Sequence, residues 1–178
     1  RNTGIKYARG DYIASQDSDD EWLPEKLDKQ LARFESAPNT IGVVYTGMRR
    51  TVNGEEKYPP SPGVEQKEGD IEESLFRRNF ISTQMAVVRS DCFDRVGLFD
   101  DSLEALVDWD LWLRLSPHYQ FALVDEPLVR STVLPDSISR DRSKIVDARQ
   151  QIVEKYYERF AEDSLANHLF FIGHGAMK

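Results

Sequence analysis

The chain holds a single cysteine, Cys92, in 178 residues. That excludes an internal disulfide framework and is compatible with a reducing compartment. There is no signal-peptide pattern and no unbroken apolar run long enough to span a bilayer. Basic charge is in deficit: 23 Lys and Arg face 31 Asp and Glu, for a net charge of −8 and a pI near 5.0. Nucleic acid demands a basic surface, so that partner class is set aside. Internal repeats and low-complexity tracts are also absent. What is present suits one globular domain with a sizeable core, since 40% of the residues are hydrophobic.

Periodicity and turn residues divide the chain into alternating elements. Thr3 to Arg9 reads as a short helix stopped by Gly10, and Tyr12 to Ala14 as a buried strand. Pro24 opens a helix from Leu23 to Ala37, with Leu23, Leu27, Leu31 and Phe34 as its core stripe. Ile41 to Met48 is a strand, and Asn53-Gly54 marks a hairpin turn after it. The proline-rich stretch from Lys57 to Gly69 is a loop, and Asp70 caps a helix running to about Asn79. Thr83 to Val88 is a strand, and Ser90-Asp91 starts a short helix ended by Gly97. Phe121 to Val124 and Leu128 to Val133 form two more strands. Ser139 to about Phe160 is a long helix, and another begins near Ser164. Strands alternating with helices, then a hairpin-like addition, indicate an α/β layer with a mixed sheet. Ligands of such folds gather at the carboxyl ends of strands.

Two acidic stretches stand out. In YIASQDSDDEW an apolar strand ends in Asp17, Asp19 and Asp20, with Glu21 behind them. Carboxylates this close repel one another, and a divalent cation with hard oxygen ligands (Mg²⁺, Mn²⁺ or Ca²⁺) is the simplest compensation. Acidic residues before a helix also serve as plain caps, and Asp20 or Glu21 could do only that. In VDWDLWLRL, Asp108 falls at the N-terminus of an apolar helix, as a cap or as a general base in an aromatic pocket.

RNTGIKYARGDYIASQDSDDEWLPEKL, FISTQMAVVRSDCFDRVGLFDDSL, VDWDLWLRL and DEPLVRSTVLPDSIS, taken in this order, resemble the inverting family 2 glycosyltransferases, which have the GT-A fold. The resemblance extends to about Arg140. It implies an α/β, GT-A-like (Rossmann-like) mixed sheet flanked by helices, with 1–138 a partial catalytic domain and 139–178 a C-terminal helical extension. Because family members begin with a strand and helix that hold the nucleotide base, the chain is expected to be N-terminally incomplete, with an exposed sheet edge that promotes self-association. Asp17 and Asp19 match the Asp-x-Asp element: the first acid touches the nucleotide, the last is a metal ligand toward the donor diphosphate, and both are assigned to the metal site with Asp20 assisting. Arg1, Asn2 and Gly4 match a segment beside the nucleotide. Asp108 matches the catalytic base, while Trp109, Asp110 and Asp100 fall on the acceptor side, as do the Lys57–Gly69 loop and Phe80 to Thr83.

The chemistry implied is transfer of a sugar from a nucleotide-sugar donor to a hydroxyl of a saccharide or lipid-linked saccharide, assisted by Mn²⁺ or Mg²⁺. The expected location is the cytoplasm or the inner face of the membrane, in polysaccharide biosynthesis. Two positions depart from the family pattern. Val107 stands where a Glu usually precedes the base, and Leu134 stands where a His often completes the metal shell, with Asp136 or water as substitutes. His118, His168 and His174 read as surface or packing residues. A non-catalytic scaffold is the main alternative. An aspartate phosphohydrolase is disfavoured by Glu21, which occupies the place of the required Thr or Val, and an EF-hand by Trp22, which occupies the place of its glycine.

Overall fold

A computed structural model of the chain describes residues 1–61, 63–133 and 141–176. Leu134, Asp136 and the Pro-x-Ser run lie outside the described residues. Among the described residues the sheet has six strands: β1 (Tyr12–Ala14), β2 (Glu21–Trp22), β3 (Ile41–Val52), β4 (Glu55–Lys57), β5 (Ala86–Arg89) and β6 (Gln120–Thr132). Their order is β1-β5-β3-β6-β2, with β4 paired to β3. Of these pairings, β3–β6 is parallel and the rest are antiparallel. The helices are α1 (Asn2–Tyr7), α2 (Lys26–Glu35), α3 (Glu72–Arg77), α4 (Ser90–Val96), α5 (Val107–Leu115), α6 (Arg142–Lys155) and α7 (Glu162–Ala176). The expected mixed sheet flanked by helices is the architecture found.

β3 is the spine. Its first half, Ile41 to Met48, is buried throughout and lies between β5 and β6, as a β-branched and aromatic run should. Gly42 is required there: a Cβ would lie 2.6 Å from Tyr119 Cγ and 2.9 Å from Cys92 Sγ. The Asn53-Gly54 turn joins β3 to β4 with φ of 52° and 83°, the left-handed pair that a tight hairpin needs. Where two strands were expected, β6 is one strand with an irregular register against β3 near Gly47. Pro127 and the Glu126 carbonyl lie there against Gly47, whose missing Cβ would fall 3.0 Å from that oxygen.

Three expectations are corrected. β1 is not a buried strand. Tyr12 and Ala14 are exposed, because among the described residues the strand pairs on one side only, with β5. The stripe of α2 is displaced: Leu27 is exposed, while Lys26, Gln30 and Phe34 are buried. The reason is hydrogen bonding. The Gln30 amide donates to the carbonyls of Val44 (2.7 Å) and Met85 (3.0 Å), and Lys26 donates to Gln30 (2.7 Å) beneath the Trp22 ring. Finally, the long C-terminal helix ends at Lys155, where a 3₁₀ turn (Tyr157–Arg159) redirects the chain into α7.

One large core cluster joins the sheet to the helices on one face. It contains Tyr45, Leu75, Trp109, Trp112 and Phe121, and also Ala148, Ile152, Tyr156 and Phe160 from the C-terminal segment. No helix among the described residues is long and apolar enough to cross a membrane.

Candidate active site

The loop after β1 turns at Ser18-Asp19, closed by the Asp20 N–H donating to the Asp17 carbonyl. The three acids face different surroundings. Asp17 is held by Arg1, whose Nη2 lies 2.8 Å from its Oδ1. Asp19 is exposed and makes no ion pair or hydrogen bond among the described residues. Asp20 is half-buried; burial pushes its carboxyl up from the ordinary range, a hydrogen bond from Ser131 opposes this, and its acidic neighbours add to the rise. An open cleft of about 500 Å³ lies at this turn, walled by Asp19, Asp20, Arg49, Thr51, Arg130 and Thr132. Arg130 pairs with Glu21 across β6 and β2 at 3.2 Å.

Asp108 lies in the first turn of α5. The residue before the helix, Leu106, is left-handed at φ 56°, a conformation costing a non-glycine residue about 1–2 kcal/mol. Oδ1 of Asp108 accepts from the Trp109 N–H (2.8 Å) and from Asn79 Nδ2 (3.0 Å). Both bonds land on Oδ1, leaving Oδ2 as the oxygen with which Asp108 can meet a ligand. Burial raises its carboxyl above the ordinary range, against those two bonds and the positive field of Arg1. Arg1 bonds Asp17, and its charge is one of the smaller influences on Asp108. Asp108 does not itself line the cleft at Asp19.

Asn2 is locked in a two-way pair with the Phe99 backbone (2.9 and 3.0 Å) and donates to Asp101 (2.8 Å). It thereby anchors α1, and Gly4 has open space where a Cβ would be. Trp109 and Asp110 are fully buried and have no surface to offer an acceptor. The Trp109 indole donates to the Leu75 carbonyl at 2.7 Å. Asp110 accepts from Arg114 (2.9 Å), Lys155 (2.7 Å) and the Tyr156 hydroxyl (2.8 Å), which rivets α5 to α6. Asp100 is held down at about 2 by hydrogen bonds from Ser102 and then Lys155. Phe80, Ile81 and Thr83 face the core, and the Ile81 carbonyl accepts from Trp112 at 2.7 Å.

Asn79 was not legible as a site residue, because only the end of α3 brings it to Asp108. Its Oδ1 is buried without a donor among the described residues. Lys26 was equally hidden: its spacing marks a helix surface, yet it is fully buried and burial draws its amine down to about 7. For a metal, no group of three or more His, Cys, Asp or Glu side chains is gathered among the described residues. The donor set at the turn is Asp19 with Asp20 beside it, which suits a small hard cation that completes its shell with phosphate oxygens and water.

Residues 1–97 match Glycosyl transferase family 2. An uncharacterized glycosyltransferase of Haemophilus influenzae is 28% identical over 160 residues, covering 88% of this chain and 54% of that protein. The amylovoran biosynthesis glycosyltransferase AmsB of Erwinia amylovora is 29% identical over 133 residues, covering 72% of this chain and 44% of that protein. The putative colanic acid biosynthesis glycosyl transferase WcaA of Escherichia coli is 30% identical over 122 residues, covering 67% and 42%. The chain thus spans about half the length of the curated relatives it matches. Among solved structures, S. aureus TarS 1-349 in complex with UDP superposes with a TM-score of 0.61 at 17% identity, covering 99% of this chain and 49% of that one, a likeness of fold.

Proposed function

The chain belongs to glycosyl transferase family 2, and from that premise we propose that it supplies the donor-phosphate and general-base groups of a sugar transferase acting with inversion. The observation that carries this reading is Asp108 itself, held through Oδ1 by Trp109 and Asn79 at the start of α5 with Oδ2 left for a ligand. The nucleotide of the sugar donor lies at Asp17 and Asp19, beside the segment of Arg1, Asn2 and Gly4. A UDP complex of the TarS fold relative makes a uridine nucleotide the first donor to try. Asp19, with Asp20 or Asp17 in support, would hold a divalent cation, Mn²⁺ or Mg²⁺, whose charge would offset that building on the departing diphosphate.

Asp108 Oδ2 takes the proton from the acceptor hydroxyl as that oxygen bonds to C1 of the sugar. The bond from C1 to the diphosphate oxygen breaks on the opposite face, and the anomeric centre inverts. The raised carboxyl of Asp108 makes it a stronger base than an exposed aspartate. We assign 1–138 to this catalytic part and 139–178 to a helical extension. The acceptor class is a saccharide or lipid-linked saccharide, in line with the polysaccharide names of AmsB and WcaA.

The test is thermal stability with UDP-, GDP- and TDP-sugars, with and without Mn²⁺. Stabilisation that needs nucleotide and metal together, and that disappears in Asp19→Ala, is the expected result. No shift with any donor would replace this reading with a non-catalytic scaffold.

A further inference from the structure

α6 and α7 pack behind α5, and the polar groups among them allow one protonation pattern. The Phe76 carbonyl can only accept, so His168 Nε2, 2.9 Å away, carries a hydrogen. The Arg149 guanidinium can only donate, so His168 Nδ1, 2.7 Å from Arg149 Nη1, presents its lone pair. His168 is thereby fixed as the neutral Nε2–H tautomer. His168 is 3% exposed, and its ring sits 5.1 Å from the Trp109 ring and 5.2 Å from that of Phe160. Arg149 lies over Trp109 and Phe171. Among the described residues no carboxylate touches either group. On the elements packed around them, Asp163 pairs with Arg77, Glu72 with Arg159 and Asp110 with Lys155. Ser164 donates to the same Phe76 carbonyl at 2.7 Å.

We infer that His168 and Arg149 are positioning residues for Asp108, and that they hold α7 against the helix bearing it only while His168 is neutral. The connection is short on both sides. Trp109, which packs against His168, gives its N–H to Asp108 Oδ1. α3, whose Phe76 carbonyl His168 grips, ends two residues before Asn79, the other donor to that oxygen. A proton on Nδ1 would set two donors and two positive charges face to face, with no acid at hand to balance them. The importance of Asp108 rests on the proposed function; the contacts of the latch do not.

Amide hydrogen exchange on the whole chain, read by NMR between about pH 5 and pH 8, separates the two. After correction for intrinsic rates, α7 and the Trp109 amide are expected to open together as pH falls, by up to about tenfold per pH unit for one linked proton. His168→Gln can donate to Phe76 and accept from Arg149 without titrating, so it should fold and lose the acid step. Arg149→Met, which removes the opposing cation, should make the step smaller. A step that persists in His168→Gln, or that is undiminished in Arg149→Met, overturns the latch. A step in α7 that leaves the Trp109 amide still overturns the link to Asp108. Failure of every nucleotide to bind would sink the transferase reading and leave these outcomes as they are.

Discussion

At the scale of single residues, environment separates acids that look alike in the sequence. Asp108 and Asp110 stand two apart in VDWDLWLRL. On a helix that spacing sends them to different sides, and Asp110 ends wholly inside against three donors while Asp108 keeps one oxygen free. The cap reading and the base reading of Asp108 are therefore compatible, since its Oδ1 bonds the start of the helix. Folding raises the pKa of this carboxyl, so its contribution to stability is present below the ordinary carboxylate range and is lost as pH rises through the folded value. Asp108→Asn keeps an oxygen for Asn79 and Trp109 and removes the buried charge. Its melting temperature at pH 7 should equal or exceed the wild type, an advantage that vanishes below about pH 4. Transfer should fall by about 10²–10⁴-fold. A lower melting temperature at pH 7, or unchanged transfer, contradicts this account.

At the scale of elements, the sequence was informative wherever a local rule decides. The Asn53-Gly54 hairpin, the Gly97 helix stop and the span of α5 all follow from residues within one turn of the feature. It failed where distant groups decide. The buried face of α2 turns on carbonyls of β3 and of the 3₁₀ turn before β5, which need the Gln30 amide. The exposure of β1 depends on having one partner strand, and the unity of β6 on β3 running alongside it. The same limit applies to the site: the acidic turn and Asp108 could be marked from motifs, but Asn79 and the Asp110 rivet are products of packing. The rivet has its own test. Tyr156→Phe removes one of three donors to a fully buried carboxylate and should cost about 1–3 kcal/mol, read from urea unfolding. A change below about 0.5 kcal/mol would mean that Lys155 and Arg114 suffice.

At the scale of the whole molecule, the C-terminal helices are integral to the core, since Ile152, Tyr156 and Phe160 share a cluster with the sheet residues Tyr45 and Phe121. β3 ties the remainder together, because the strand that is buried from Ile41 to Met48 continues through Arg49 and Thr51 into the wall of the acidic cleft. Cleft and core are thus two lengths of one beam. Loosening the wall at its hydrogen bonds to β6 pulls on a segment that cannot shift without opening the interior. The cleft should have no melting transition of its own: backbone amides at Arg49 and Thr51 that bond across to β6 should exchange at rates approaching those of Val43 and Tyr45. A ligand gripping Asp19 would then close on a fixed jaw, and whatever adjusts to its shape must come from the Ser18-Asp19 turn itself.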